Sequence, residues 1–185
     1  FTIPNLITLT RILLTPLFII FLIQGSYHKA LLIFILAGIS DLADGLIARW
    51  WQQKSRLGSY LDPLADKLLM SASFVTLSIS HLIPSWLTVM VISRDVILGL
   101  GALILRLTDY PLTVRPSVWG KCTTTVQVTT VGLVLLGKVW PLPSELLTVL
   151  FCLTGVLTAI SGTQYLYRGL KLVSHESSGG EGDSG

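Results

Sequence analysis

Between residues 41 and 66 the chain carries Asp41, Asp44, Asp62 and Asp66, within or beside segments apolar enough to be buried in a membrane. A carboxylate alone in hydrocarbon is costly, and intramembrane acids mark functional sites by default. Asp41 and Asp44 are three residues apart and Asp62 and Asp66 four apart, so each pair projects from one face of its helix. A turn centred near Ser55 leaves Asp44 and Asp66 eleven residues to either side. An antiparallel hairpin would then bring the pairs to similar depth. Four carboxylates in one pocket repel one another unless cations sit among them. With no His or Cys in the cluster, the donor set selects hard ions such as Mg²⁺, Mn²⁺ or Ca²⁺ over zinc. Because Mg²⁺ usually binds through a few carboxylates plus substrate phosphates, a phosphate-bearing substrate is implied. Gly45 and Gly58 suit close approach of backbone to a ligand. Ala48 keeps the same helix surface low, and Arg49 offers a planar fork to a phosphate or a nucleotide edge.

The elements that must hold these residues are legible as apolar runs. The 185-residue chain is 51% hydrophobic and 12% charged, with mean hydropathy +0.73, outside the range of a soluble domain. Six stretches are each long enough to span a bilayer, at roughly 6–23, 30–50, 63–80, 86–106, 118–137 and 144–168. The expected fold is all-α: an integral membrane bundle of six transmembrane helices in one domain, residues 1–173, followed by a disordered polar tail, 174–185. Arg49, Lys54, Arg56, Lys67, Arg106, Arg115, Lys121, Arg168 and Lys171 cluster at the terminal, 2–3 and 4–5 connections, against Lys29 and Lys138 opposite. That asymmetry makes the former face cytoplasmic and puts the acidic site near the cytoplasmic-side interface. Trp50, Trp51, Trp86, Trp119 and Trp140 fall near span ends, as an interfacial belt does. The net charge of +3 and pI near 9.0 point to anionic lipid headgroups rather than nucleic acid, because the basic residues flank apolar runs. Cys122 and Cys152 lie within spans and give no disulfide framework. His28, His81 and His175 occur singly and read as interfacial or solvated. Phe1 in place of Met suggests a trimmed N-terminus.

Asp41-x₂-Asp44-Gly45-x₂-Ala48-Arg49-x₈-Gly58-x₃-Asp62-x₃-Asp66 resembles, at all eight positions, the signature of the CDP-alcohol phosphotransferases, integral membrane enzymes of phospholipid synthesis. The resemblance extends to "IPNLITLTR" at the start and to "RDV" and "GKCTTTVQ" further on. It implies that Asp41, Asp44, Asp62 and Asp66 surround two divalent cations, Mg²⁺ or Mn²⁺, and that Asp66 is also the catalytic base. It implies a cytidine nucleotide site at Asp44, Gly45, Ala48, Arg49 and Gly58, with Asn5 and Thr8 nearby. It further implies transfer of a phosphatidyl group from CDP-diacylglycerol to a glycerol-type alcohol with release of CMP. A homodimer in a bacterial or mitochondrial inner membrane is the form it suggests.

The motif speaks mainly for the donor. Arg94 and Asp95 lie in the fourth stretch, where an unpaired charge is expensive. They are either a structural ion pair or, with Arg115 and Lys121, part of a basic pocket for an anionic acceptor. "LIPSWLTVMVISRDV" is similar to the cardiolipin synthases of the family, and "WGKCTTTVQ" to its phosphatidylglycerophosphate synthases. Phosphatidylglycerol is therefore the favoured acceptor and glycerol 3-phosphate the alternative. Most of the polar side chains of the fifth stretch are expected to bond to their own backbone or across helices, with Thr123 and Gln127 sharing a face near Lys121. Gly99, Gly101 and Ala102 read as packing positions. A cation channel or transporter would explain the acids but not Arg49, Gly45 and Gly58 at their offsets. A non-catalytic membrane scaffold would explain only the hydrophobicity.

Overall fold

A computed structural model describes the backbone of residues 3–51, 58–107 and 118–179, and the side chains of 9–40, 64–101 and 119–167. The described residues form six α-helices and no strand: α1 (Ile3–Ile23), α2 (Tyr27–Trp51), α3 (Gly58–Ile79), α4 (Ser85–Leu107), α5 (Val118–Val139) and α6 (Ser144–Gly179). Each grows from one of the six apolar stretches. The sixth departs from expectation at its end: α6 continues past Val173 to Gly179, into the polar segment expected to be disordered from residue 174. Extending an existing helix fixes one residue per added hydrogen bond, whereas a new helix must first form a costly nucleus, so a polar stretch joined to a long helix can adopt its conformation.

Two of the turns close by the same device. After α1, Gly25 N–H donates to the Leu22 carbonyl (3.1 Å) and Ser26 N–H to the Phe21 carbonyl (2.9 Å). After α3, His81 N–H donates to the Ser78 carbonyl (3.0 Å) and Leu82 N–H to the Leu77 carbonyl (2.9 Å). Both are Schellman closures, which need a left-handed residue at the pivot. Gly25 supplies it at φ 70°, and His81 adopts it at φ 55° despite its Cβ.

Helix pairings close a ring. α1 packs against both α2 and α3, α2 against α5, α5 against α6, α6 against α4 and α4 against α3, with a lesser contact between α3 and α5 across the middle. Among the described residues there is no direct packing of α2 on α3; α1 lies against both. The end of α2 and the start of α3 that the expected hairpin would bring together, residues 41–63, lie outside the residues whose side chains are described; within those described, α1 and α5 each contact both motif-bearing helices.

The apolar core occupies one end of the ring. Phe18 and Leu22 of α1, Phe34 of α2, Phe74 and Leu77 of α3, Leu87 of α4 and Leu135 of α5 are all buried together. Between α5 and α6 runs a polar seam. Thr130 and Thr154 hydroxyls meet at 2.7 Å, Gln127 Nε2 donates to Thr158 Oγ1 at 3.4 Å, and Thr123 Oγ1 donates to the Leu157 carbonyl at 3.1 Å. Thr123, Thr124, Thr125, Thr129 and Thr130 also bond to their own backbone four residues back, as expected. Gly101 is a packing position against Tyr165, whereas the Gly99 position faces open space. Two positions apart on a helix, the two point in different directions.

Trp119–Val139 and Ser144–Tyr167 are long and apolar enough to cross a bilayer, and Leu9–Ile23 and Tyr27–Ser40 are shorter apolar stretches. Large apolar side chains are exposed, among them Leu13, Ile23, Val89 and Val149.

Candidate active site

The aspartates sit on two continuous helices. Asp41 and Asp44 belong to α2 seven or more residues before its end at Trp51, and Asp62 and Asp66 to α3, which starts at Gly58. At a rise of about 1.5 Å per residue, Asp44 and Asp66 each lie roughly 10–12 Å along their helices from the 52–57 connection. The side chains of Asp41, Asp44 and Asp62 lie outside the described residues, as do those of Asn5, Thr8, Gly45, Ala48, Arg49 and Gly58; Arg115 lies outside entirely. Among the described residues no three His, Cys, Asp or Glu side chains gather as metal ligands.

Asp66 is the motif aspartate whose surroundings are defined. It borders a cavity of about 700 Å³ between α1, α2, α3 and α5. Arg11 of α1, Phe34 and Gly38 of α2, Met70 of α3 and Thr125 and Leu133 of α5 line the same space. The cavity thus borders Asp66 and runs between α2 and α5 alongside the apolar core. Arg11 is 1% exposed, and both Arg11 and Asp66 engage partners within the fold. Sequence reading gave Arg11 no role of its own. A charge inside the first apolar stretch was the signal for it, since ionisable residues there are functional by default.

The structure shows Arg94 in an ion pair. Its Nη1 donates to Asp95 Oδ1 at 2.7 Å and its Nη2 to Ser161 Oγ of α6 at 3.0 Å, with the side chain 6% exposed. Lys67 Nζ of α3 reaches the same Asp95 oxygen at 2.6 Å. Of the two readings open for Arg94 and Asp95, the geometry matches the ion pair, because a buried guanidinium requires a compensating carboxylate. Neither Arg94 nor the exposed Lys121 lines the cavity beside Asp66. Lys67 and Ser161 were not anticipated as their partners. Separations of 28 residues from Lys67 to Asp95 and 67 from Arg94 to Ser161 leave no local pattern.

With this geometry in view, the comparisons assign the class. The CDP-alcohol phosphatidyltransferase family model matches residues 1–161, and the chain belongs to that family. It is 39% identical to a "Cardiolipin synthase (CMP-forming)" of Rattus norvegicus, over 93% of this chain and 63% of the relative. It is 34% identical to a "Probable phosphatidylglycerophosphate synthase" of Mycobacterium tuberculosis, over 90% of this chain and 81% of the relative. A third relative, "CDP-diacylglycerol--glycerol-3-phosphate 3-phosphatidyltransferase" of Haemophilus influenzae, is 33% identical over 90% of this chain and 92% of its own. The chain therefore spans just under two thirds of the mammalian relative's length, and relatives carrying both synthase names are present.

Proposed function

We propose that this protein transfers the phosphatidyl group of CDP-diacylglycerol to a glycerol-type alcohol and releases CMP, with phosphatidylglycerol the favoured acceptor. The observation that carries this reading is the complete eight-position motif on α2 and α3, in a chain matched by the family over 1–161, with Asp66 opening onto a cavity. In this reading residues 1–173 are the catalytic domain, all six helices cross the membrane and the working unit is a homodimer. The exposed apolar side chains along the helices support the membrane setting.

The donor set fits two hard divalent cations. Asp41 and Asp44 sit three apart on helical α2, and Asp62 and Asp66 four apart on helical α3, so each helix offers oxygen ligands from one face. When bound, such ions polarise the phosphoryl oxygens and neutralise charge on the departing nucleotide. The chain's own residues do the rest. Asn5, Thr8, Asp44, Gly45, Ala48, Arg49 and Gly58 hold the cytidine nucleotide. Asp66 takes the proton of the acceptor hydroxyl as that oxygen attacks the phosphatidyl phosphorus. The phosphorus–oxygen bond to CMP breaks, and CMP leaves with the electron pair. Sequestering the site among α1, α2, α3 and α5 limits attack by water.

The test is metal-dependent CMP release. Purified protein is supplied with CDP-diacylglycerol and Mg²⁺ or Mn²⁺, and each candidate alcohol is added in turn. Release that requires both the metal and one alcohol supports the reading and identifies the product. Glycerol 3-phosphate is the second acceptor to try, since relatives named for it align over nearly their full length. Cation flux in proteoliposomes without CMP release would favour a channel instead.

A further inference from the structure

Asp66 and Lys67 are neighbours on α3, and a helix turns about 100° per residue, so their side chains leave it in different directions. Asp66 borders the cavity shared with α1, α2 and α5, while Lys67 reaches Asp95 of α4 at 2.6 Å. Among the described residues, side-chain hydrogen bonds tie α3 to α4 at three levels. Ser78 Oγ donates to Ser85 Oγ at 3.3 Å, Thr88 Oγ1 to the Phe74 carbonyl at 3.2 Å and Lys67 Nζ to Asp95 Oδ1. All three pairs are centred on the turn at His81, in the register of one helical hairpin. The first two lie close to that turn. Lys67 and Asp95 lie about 20 Å further along, at the end of α3 that carries the motif.

The anchor at that far end is itself braced. Arg94 Nη1 donates to the same Asp95 oxygen and Nη2 to Ser161 of α6, and the arginine stem lies 3.7 Å from where a Cβ on Gly162 would stand. The carboxylate is thus held independently of Lys67, and the bridge orders one long side chain rather than the two whose ordering weakens an ordinary surface pair. Around Lys67, Ala65 and Leu69 are buried and Leu64 and Leu68 exposed. Apolar contact is non-directional, so burial of Ala65 and Leu69 holds α3 against its neighbours without by itself fixing its roll. A side-chain oxygen stands about 5 Å from the helix axis, so a roll of about 15° displaces it by about 1 Å. A misplacement of about 1 Å can cost up to about a hundredfold in rate. We infer that Lys67 is a positioning residue for the transfer: through Asp95 it fixes the roll of α3, and so the line on which Asp66 meets the acceptor hydroxyl. The inference rests on the transferase reading, with Asp66 as base, and gives the half-exposed bridge a part beyond stability.

Full-chain protein in detergent micelles is assayed for CMP release at saturating Mg²⁺, with phosphatidylglycerol and then glycerol 3-phosphate as acceptor, at a temperature where circular dichroism shows every variant folded. Lys67→Met is expected to lower kcat about threefold to fivefold, the worth of a half-exposed pair spent on orientation. Lys67→Glu sets like charges together and should lower kcat further, and Lys67→Arg, which keeps the cation, should restore it. The KM for CDP-diacylglycerol should stay the same, as when an interaction that acts only in the transition state is lost. The roll is read separately by alkylation. With Cys122 and Cys152 replaced by serine, Ala65→Cys places a thiol at a wholly buried position beside exposed Leu64. Lys67→Met should speed its reaction with a small maleimide by a similar factor, and Lys67→Arg should return it to the slow rate. If Ala65→Cys does not fold, Leu69→Cys, also buried, takes its place. Wild-type kcat in both Lys67→Met and Lys67→Glu overturns the inference, as does a change confined to the unfolding temperature or to KM. So does a loss of kcat with alkylation unchanged, which would place Lys67 at the reacting groups themselves. If wild-type protein releases no CMP with any alcohol, the transferase reading fails, and the alkylation rates then decide whether Lys67 sets the roll of α3.

Discussion

Asp95 holds two cations on one oxygen, Lys67 Nζ at 2.6 Å and Arg94 Nη1 at 2.7 Å. The partners differ in burial: the Lys67 side chain is 42% exposed and that of Arg94 6%. Losing the carboxylate strands a buried guanidinium, so Asp95→Asn is expected to destabilise the protein by about 3–5 kcal/mol. Lys67→Met removes a half-exposed partner and should cost about 1 kcal/mol or less. Thermal unfolding in detergent compares them, and equal losses would contradict the assignment. Asp66 should behave differently, with chemistry affected before stability. Asp66→Asn is expected to lower transfer about 10²–10⁴-fold, the usual worth of a general base, with a smaller effect on donor binding. Near-full activity in that variant would remove Asp66 from the base role. The two cases also mark the limit of what residue types disclose. Asp66 was marked by spacing within a motif. The Arg94–Asp95 pair was one of two open readings, because adjacent residues on a helix do not normally face each other and only the length of the arginine lets it turn back.

Helices α4 and α6 approach closely at a glycine. A Cβ on Gly155 would lie 2.7 Å from Cζ3 of Trp86, a rigid ring, and one on Gly101 would lie 2.8 Å from Tyr165. Small residues let helix backbones approach closely. Gly155→Ala is therefore expected to destabilise by about 1–3 kcal/mol through overpacking. Gly99→Ala, where the added atom meets nothing, should be neutral or gain up to about 1 kcal/mol of helix propensity. Unfolding temperatures of the two variants check the contrast. The helices themselves were readable from apolar runs, and their ends agree within about five residues except at the end of α6. What could not be read was which helix lies against which. Hydropathy records that a face is apolar without recording its neighbour, so the wedge of α1 between α2 and α3, and the cavity it helps enclose, appear only in three dimensions. The extension of α6 to Gly179 escaped for a related reason, since composition weighs a segment by itself and not by what precedes it.

At the scale of the molecule, the apolar cluster of the described residues and the aspartate motif lie at opposite ends. The buried apolar cluster draws on the end of α1, the start of α2, the end of α3, the start of α4 and the end of α5, all near the short turns at Gly25 and His81 and the α5–α6 connection. The motif occupies the other end, around the 52–57 connection. If all six helices cross the bilayer, Gly25→Cys and Trp140→Cys in a background lacking Cys122 and Cys152 should react with an impermeant maleimide from one face only. Cysteines placed in 52–57 should react from the opposite face. Labelling of both sets from the same side would refute the six-span arrangement.

The order of helices around the ring carries one more implication. Partners in sequence, α1 with α2, α3 with α4 and α5 with α6, are also partners in space, whereas among the described residues α2 does not pack on α3 nor α4 on α5. The protein is thus three helical hairpins closed into a circle, and local pairs of that kind form faster than contacts between distant segments. If the helices cross a bilayer, each hairpin can insert as a unit, and the cavity between α2 and α5 comes into being only when the last seam shuts.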